Sequence, residues 1–167
     1  MKIAVAGATG TVGTHVVDTA QARGHLVVPL SRTTGVDLLT GRGISNALDG
    51  VDALVDVTNQ TTLSASRARR FFQTVTRTQL AAETSAGVGH HVVLSIVGID
   101  DIDASYDAGK LAQERMVASG PVAVMPRVLM RPVAAREVAV HLVDRVEAAT
   151  TFEEWLHGPD HPATVQR

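Results

Sequence analysis

Short apolar runs alternate along this chain with longer stretches in which apolar side chains recur every three or four residues. "KIAVAG" is a short run with β-branched members bounded by glycine, and it predicts a buried strand. "GTHVVDTAQARG" follows with Val16, Val17 and Ala20 at helical spacing and a stop at Gly24. "HLVVPLSR" predicts a second strand, "GVDLL" a short third, "GISNALDG" a short helix between turn signals, and "VDALVDVT" a fourth strand. From about Ser64 to Ala86, Phe71, Phe72, Val75 and Ala82 fall near the helical period, and Gly87 ends the pattern. "HHVVLSIVG" predicts a fifth strand, and Tyr106 to Ser119 a helix stopped by Gly120 and Pro121. Strands alternating with helices imply an α/β fold, a doubly wound parallel sheet covered on both faces. No repeat or low-complexity linker interrupts the alternation.

Composition bounds the class. A chain of 167 residues, 45% hydrophobic and 19% charged, is long enough for one core, so residues 1–167 are expected to form a single domain. Fifteen basic against seventeen acidic residues give a formal charge of -2, which argues against broad attraction to nucleic acid or to anionic membrane. A small-molecule partner is expected instead. There is no cysteine, so no disulfide and no thiolate metal site can form. The seven histidines are scattered, none of them in a His-x-x-x-His spacing on an expected helix, and no metal is expected. Arg67, Arg69, Arg70 and Arg77 read as the solvated face of a helix. The opening "MKIAVAGATG" is too short in apolar length for a signal core or a membrane span, and the expected location is cytoplasmic.

The chemistry concentrates in three places. In "GATGTVG", Gly7, Gly10 and Gly13, with Thr9, Thr11 and Val12 between them, sit where the first strand turns into the first helix. A backbone without side chains there passes close to a pyrophosphate, whose charge meets helix N-terminal amides, so the expected ligand is a dinucleotide. The second strand ends in "LSR", where an NAD-specific sheet commonly carries an acid for the ribose 2′-hydroxyl. Ser31 and Arg32 offer a hydroxyl and a guanidinium that suit a 2′-phosphate, favouring NADP(H) over NAD(H); a solvated loop arginine is the plainer alternative. Asp37 follows the next turn, within reach of an adenine or of a turn amide. Third, "SYDAGKLAQE" holds Tyr106 and Lys110 four positions apart, hence on one helical face. A free phenol has a pKa near 10, about three units too high for neutral pH, and a neighbouring ammonium would stabilise its phenolate.

Taken together, "MKIAVAGATGTVG", "LSR", "DGVDALVDVTN", "HHVVLSIVGID" and "YDAGKLAQE" resemble the atypical short-chain dehydrogenase/reductases, in particular the NmrA-like NAD(P)-binding group. The resemblance covers most of residues 1–119 and resumes in "RPVAAREVAVHLVD". It implies a Rossmann-type domain for NADP(H), with the glycines at the pyrophosphate, Ser31 and Arg32 at the adenosine phosphate, and Val57, Thr58 and Asn59 near the ribose. It also implies that Tyr106 and Lys110 stand as the Tyr-x-x-x-Lys pair of the wider superfamily, with Ser95 as its serine. In that role Tyr106 gives a proton to a carbonyl oxygen held by Ser95 as hydride arrives from the nicotinamide. The implied activity is an NADP(H)-dependent oxidoreductase acting on a small carbonyl or quinone-like substrate. Two alternatives share the fold: a non-redox cyclase, isomerase or lyase, with cofactor use lost, and a regulatory protein that senses the dinucleotide.

One departure from the family pattern is visible after the Tyr106 helix. "ERMVASG" runs almost directly into "PVAVMPRVLMRPVAAREVA", so residues 1–119 read as a nucleotide-binding core and 120–167 as a shortened C-terminal part. Either "PVAVM" serves as a sixth strand or the sheet is shorter. In both cases the substrate pocket is expected to be open, and a homodimer would cover the apolar face left exposed. Trp155 would anchor the tail or sit at a subunit contact.

Overall fold

The computed structural model describes residues 1–96, 99, 104–119, 123–124, 127–128 and 135–147. In chain order the elements are β1 (Lys2–Ala6), α1 (Thr11–Ala22), β2 (Leu26–Leu30), a 3-10 turn (Arg32–Thr34), α2 (Ile44–Ala47), β3 (Ala53–Asp56), α3 (Ala65–Ala86), β4 (His90–Val93), β5 (Ser95–Ile96), α4 (Asp107–Ala118), β6 (Ala123–Val124), β7 (Arg127–Val128) and α5 (Ala135–Glu147). The main sheet has the order β2-β1-β3-β4-β6, with each pair parallel. Ile3 faces Val27 on one side and Ala53 on the other, Ala53 faces His90, and His91 faces Ala123. The fold is therefore the Rossmann-like doubly wound sheet that the alternation predicts. From β1 the chain steps outward to β2, then returns to lay β3 on the other side of β1, which opens a crevice at the carboxyl ends of β1 and β3.

Strand alternation sends neighbouring side chains to opposite faces. Ile3, Val5, Ala53, Val55 and Val92 join Val16 and Ala20 of α1 and Leu142, Val143 and Val146 of α5 in one apolar cluster. Ala4, Ala6 and Leu54 join Ile44 and Leu48 and the end of α3 at Ala82 in another. The outer strand β2 is half exposed and carries Pro29 at its edge, which offers a further strand no N–H there. Arg23, just past α1, lies 2.7 Å from both Asp144 and Glu147, and His25 Nε2 lies 2.8 Å from Glu147 Oε1, tying the end of α5 to the first crossover. Ser64 caps α3, and Gly87, at φ +71, ends it in the left-handed conformation. Among the described residues, no helix is long and apolar enough to cross a membrane.

Two expected strands differ. "GVDLL" forms none: Asp37 makes a single antiparallel bridge to Arg42. Gly35, Gly41 and Gly43 all take positive φ, and the Asp37 carboxylate accepts the Leu39 N–H at 2.9 Å, so the segment folds back on itself as turns. "VDALVDVT" is accordingly the third strand. "HHVVLSIVG" divides after Val93, and Ser95–Ile96 leaves the main sheet to pair with β7. "PVAVM" contributes Ala123–Val124 as the fifth strand of the main sheet. Gly120, Pro121 and Trp155 lie outside the described residues.

Candidate functional site

A cleft of about 740 Å³ opens at the carboxyl ends of β1 and β3. Its first wall is the turn after β1. Gly7 has φ +80, and a Cβ on it would stand 2.9 Å from the Val57 carbonyl oxygen, so the glycine is required by backbone approach as well as by conformation. Gly10 caps α1 with no side-chain hydrogen bond, and the first turn holds no acidic residue. The N–H groups of that turn have no intrahelical acceptor and carry the positive end of the helix dipole, an arrangement suited to an anion. Thr9, Gly10, Thr11 and Val12 line the cleft here. Gly13 does not. It is buried under the turn, where a Cβ would stand 2.0 Å from the Gly7 oxygen, and its part is to let α1 lie directly on the loop.

At the far end Leu30, Val36, Leu38 and Leu39 form an apolar wall beside Ser31, Arg32 and Asp37. The Ser31 hydroxyl accepts the Thr34 N–H, closing the 3-10 turn, and the Arg32 side chain is exposed. Asp37 is held below the usual carboxylate range by the Leu39 amide, with help from Thr40 and Arg42, so its turn role is occupied while it also lines the cleft.

Val57, Thr58, Asn59, Ser95, Tyr106 and Lys110 meet at the third wall. The buried hydroxyls of Thr58 and Ser95 have no hydrogen-bond partner among the described residues. Orphaned buried hydroxyls, a glycine cradle a Cβ would fill, and free helix amides together fit a dinucleotide with its phosphates, ribose hydroxyls and reacting ring. Tyr106 immediately precedes α4, after Ser105 at φ +52, the one described non-glycine residue with positive φ. Its ring meets Phe72 edge-on, with centroids 5.6 Å apart. Burial first, then the charges of Asp107 and Asp56, push its pKa up to about 12.

Lys110 is turned inward. Its Nζ lies 4.9 Å from the Phe72 ring centroid and donates to Gln113 Oε1. Gln113 Nε2 donates in turn to Asp56 Oδ2 at 2.8 Å, and Asp56 Oδ1 accepts the Thr58 N–H at 2.8 Å. Burial pulls the Lys110 pKa down to about 8 against the opposing charges of Asp56 and Glu114. The phenol of Tyr106 thus receives no lowering from Lys110 in this arrangement. Deeper in, His91 Nδ1 lies 2.7 Å from Glu83 Oε1; burial disfavours its charge, but the Glu83 hydrogen bond and the carboxylates of Glu83 and Asp56 raise its pKa overall.

The cleft wall brings together the residues expected from the sequence except Gly13, while Asp56 and Gln113, buried behind Lys110 and Thr58, are not among the expected residues. Both left a signal. Asp56 is an acid inside the apolar run "ALVDV", and Gln113 stands three positions after Lys110, on the same helical face.

No protein-family model matches the chain, and no curated protein matches it by sequence. Among solved structures it is similar to a Bacillus halodurans protein assigned as an NAD-dependent epimerase/dehydratase, with 16% identity, 90% of each chain covered and a TM-score of 0.77. A UDP-N-acetylglucosamine 4-epimerase from Bacillus cereus matches with 19% identity, 90% of this chain and 76% of that one, and a TM-score of 0.74. A short-chain dehydrogenase/reductase superfamily protein from Agrobacterium tumefaciens with bound NAD matches at 24% identity over 76% of this chain and 48% of that one, with a TM-score of 0.60. At these identities the likeness shows a shared fold.

Proposed function

We propose that the chain is an NADP(H)-dependent oxidoreductase of the short-chain dehydrogenase/reductase type, of its NmrA-like group, acting on a small carbonyl or quinone-like substrate. One observation carries the reading: the glycine turn, the "LSR" end and the Ser95, Tyr106, Lys110 set, far apart in sequence, line a single cleft at the switch point of the sheet. The solved structures of like fold whose names mention NAD support a nicotinamide dinucleotide. Arg32 supports the 2′-phosphate form.

Bound in the cleft, the dinucleotide would supply the hydride. The first turn of α1 would hold its phosphates, and Arg32 would pair with the extra phosphate. Ser95 donates a hydrogen bond to the substrate carbonyl oxygen, and Tyr106 gives that oxygen a proton as the carbon is reduced. A phenol held near pKa 12 is fully protonated at neutral pH, which is the form the reduction direction needs. A second reading rests on the inward turn of Lys110: with its ammonium on Gln113 and the phenol unassisted, a dinucleotide-sensing protein would keep the cleft and dispense with turnover.

Thermal-shift and calorimetric titration with NADPH, NADP, NADH and NAD tests the first step. At about a hundred times the dissociation constant a one-site ligand stabilises by about 2.7 kcal/mol. Selective stabilisation by the phosphorylated pair, lost in Arg32→Gln, is expected, whereas no shift with any of the four rejects both readings. Tyr106→Phe then separates them, since it abolishes turnover with binding intact only in an oxidoreductase.

A further inference from the structure

We propose that Asp56 and Gln113 are positioning residues for Lys110, fixing where its ammonium lies beneath the cleft and keeping a compensating charge within reach of it. Both are completely buried, and Lys110 is nearly so. An ammonium only donates hydrogen bonds and a carboxylate only accepts them, so a group standing between the two must accept on one side and donate on the other. A carboxamide does link them, in one orientation, with oxygen toward Lys110 and nitrogen toward Asp56, and that is the orientation found. The second oxygen of Asp56 is fixed by the Thr58 amide at the cleft wall, which ties the relay to the backbone that ends β3. The Phe72 ring of α3 closes the other side of the ammonium.

The charged and titratable groups around Lys110 come from every neighbouring element. β3 supplies Asp56, β4 supplies His91 with its α3 partner Glu83, α4 itself supplies Glu114, and Tyr106 stands just before it. Asp56 favours the charged form of Lys110 and His91⁺ opposes it, so the relay decides how much cation the cleft floor presents. Its meaning for the ligand rests on the dinucleotide reading above, in which Lys110 serves the reacting end; the relay itself can be tested without any ligand.

The chain has two lysines, Lys2 and Lys110, so isotope-labelled lysine Cε gives two side-chain signals, and Lys2→Arg assigns them. In the unaltered protein the Lys110 signal is expected to titrate with a midpoint of about 8. Asp56→Asn keeps the shape and removes the charge, and it should lower the midpoint by about one unit or more. Adding Gln113→Glu to Asp56→Asn moves the carboxylate one link toward the lysine and keeps every donor opposite an acceptor. It should bring the midpoint back to its original value or above. Gln113→Met serves as an independent break should Asp56→Asn not fold, and it too should lower the midpoint. A midpoint unmoved by whichever of these variants folds, or no recovery in the double variant, overturns the relay.

The ligand arm is the pH dependence of NADPH affinity. Its alkaline limb should move to lower pH in Asp56→Asn by the same interval as the lysine midpoint. If the midpoint moves and the limb stays, the positioning role falls while the dinucleotide reading stands. If NADPH does not bind the unaltered protein, that reading falls and the lysine titration alone decides the relay.

Discussion

Against α1 and α5 the sheet presents Ile3, Val5, Ala53, Val55 and Val92, and the helices answer with Val16, Ala20, Leu142 and Val143. Against α3 and α4 it presents Asp56 and His91 alongside Leu54 and Val93, and the buried helix positions include Thr76, Gln79, Glu83, Lys110, Gln113 and Glu114. The first face is stabilised by removing apolar area from water, at about 25 cal/mol per Å² and without regard to direction. The second has to find a partner for each charge it buries, and charges gain little net stability from burial even when paired. A sequence selected for stability alone would fill both faces alike. The polar one ends under the cleft, at Lys110 and Thr58, and that is a reason for it to tolerate the expense.

Matched truncations should separate the two faces most sharply. Leu142→Ala leaves a cavity in the apolar layer and should cost about 2–5 kcal/mol at any pH. Asp56→Ala leaves Lys110 without its carboxylate and should cost about 3–5 kcal/mol at neutral pH. The second deficit should shrink above pH 8, where Lys110 sheds its proton and the unaltered protein is the one left with an unpaired buried charge. Denaturant unfolding at neutral and at alkaline pH reads both, and equal pH behaviour in the two variants would erase the distinction between the faces.

The same contrast explains what could be read from the sequence. Periodicity reports apolar burial, so the strands of the α1/α5 face and α1 itself emerge directly from it, whereas α5 lies in a stretch for which no helix is expected from the sequence. The glycine turn and the "LSR" end emerge because a strand, its turn and its helix are contiguous. "GVDLL" misleads because a short apolar run does not show that three nearby glycines turn the chain back. A buried charge, by contrast, has the same letter as a solvated one. Lys110 looks like a surface ammonium until the link from Gln113 to Asp56, 57 positions away, is formed, and that link depends on α4 packing against α3 and the sheet. Gly109 permits the approach: a Cβ there would stand 2.6 Å from Phe72 Cδ2 and 2.7 Å from Ala68.

Replacing Lys110 itself should act in the opposite sense. Its folded pKa, about 8 against an ordinary 10.5, means the unfolded chain binds more protons between those values, so stability rises with pH across that window. Lys110→Met removes the buried charge, leaves Asp56 its bonds to Gln113 and Thr58, and should raise neutral-pH stability by about 1–3 kcal/mol while abolishing the rising limb. Unfolding curves at several pH values check both, and a destabilised variant would mean the relay holds the fold together more than it burdens it.

Tyr106 titrates the other way and can be watched alone, being the single tyrosine. Its folded pKa of about 12 lies above the ordinary 10, so its contribution is present below pH 10 and is lost as pH rises through 12. The ultraviolet phenolate band should therefore appear only near pH 12 in the folded protein. Asp56→Asn should bring it down slightly, because Asp56 is the weakest of the three causes. A midpoint near 10 in the unaltered protein would mean that Lys110 reaches the phenol after all.

The smallest effect belongs to the outer edge of the apolar face, where charge is paired in water instead of being buried. Glu147 meets Arg23 and His25 with a third of its side chain exposed, at 36%. The His25 hydrogen bond, more than the Arg23 charge, holds its carboxyl below the usual range. Screened by solvent, such a cluster contributes about 1 kcal/mol or less. Its folded pKa is depressed, so the contribution is present above the ordinary 4.5 and fades as pH falls through the folded value. Glu147→Gln should thus cost little at neutral pH, less in high salt, and nothing in acid. Asp56→Ala should keep most of its cost in salt, because no counterion reaches a fully buried pair. A cost for Glu147→Gln as large and as salt-resistant as that of Asp56→Ala would place the two charge sets in one class, and the contrast between the faces would then lie in something other than burial.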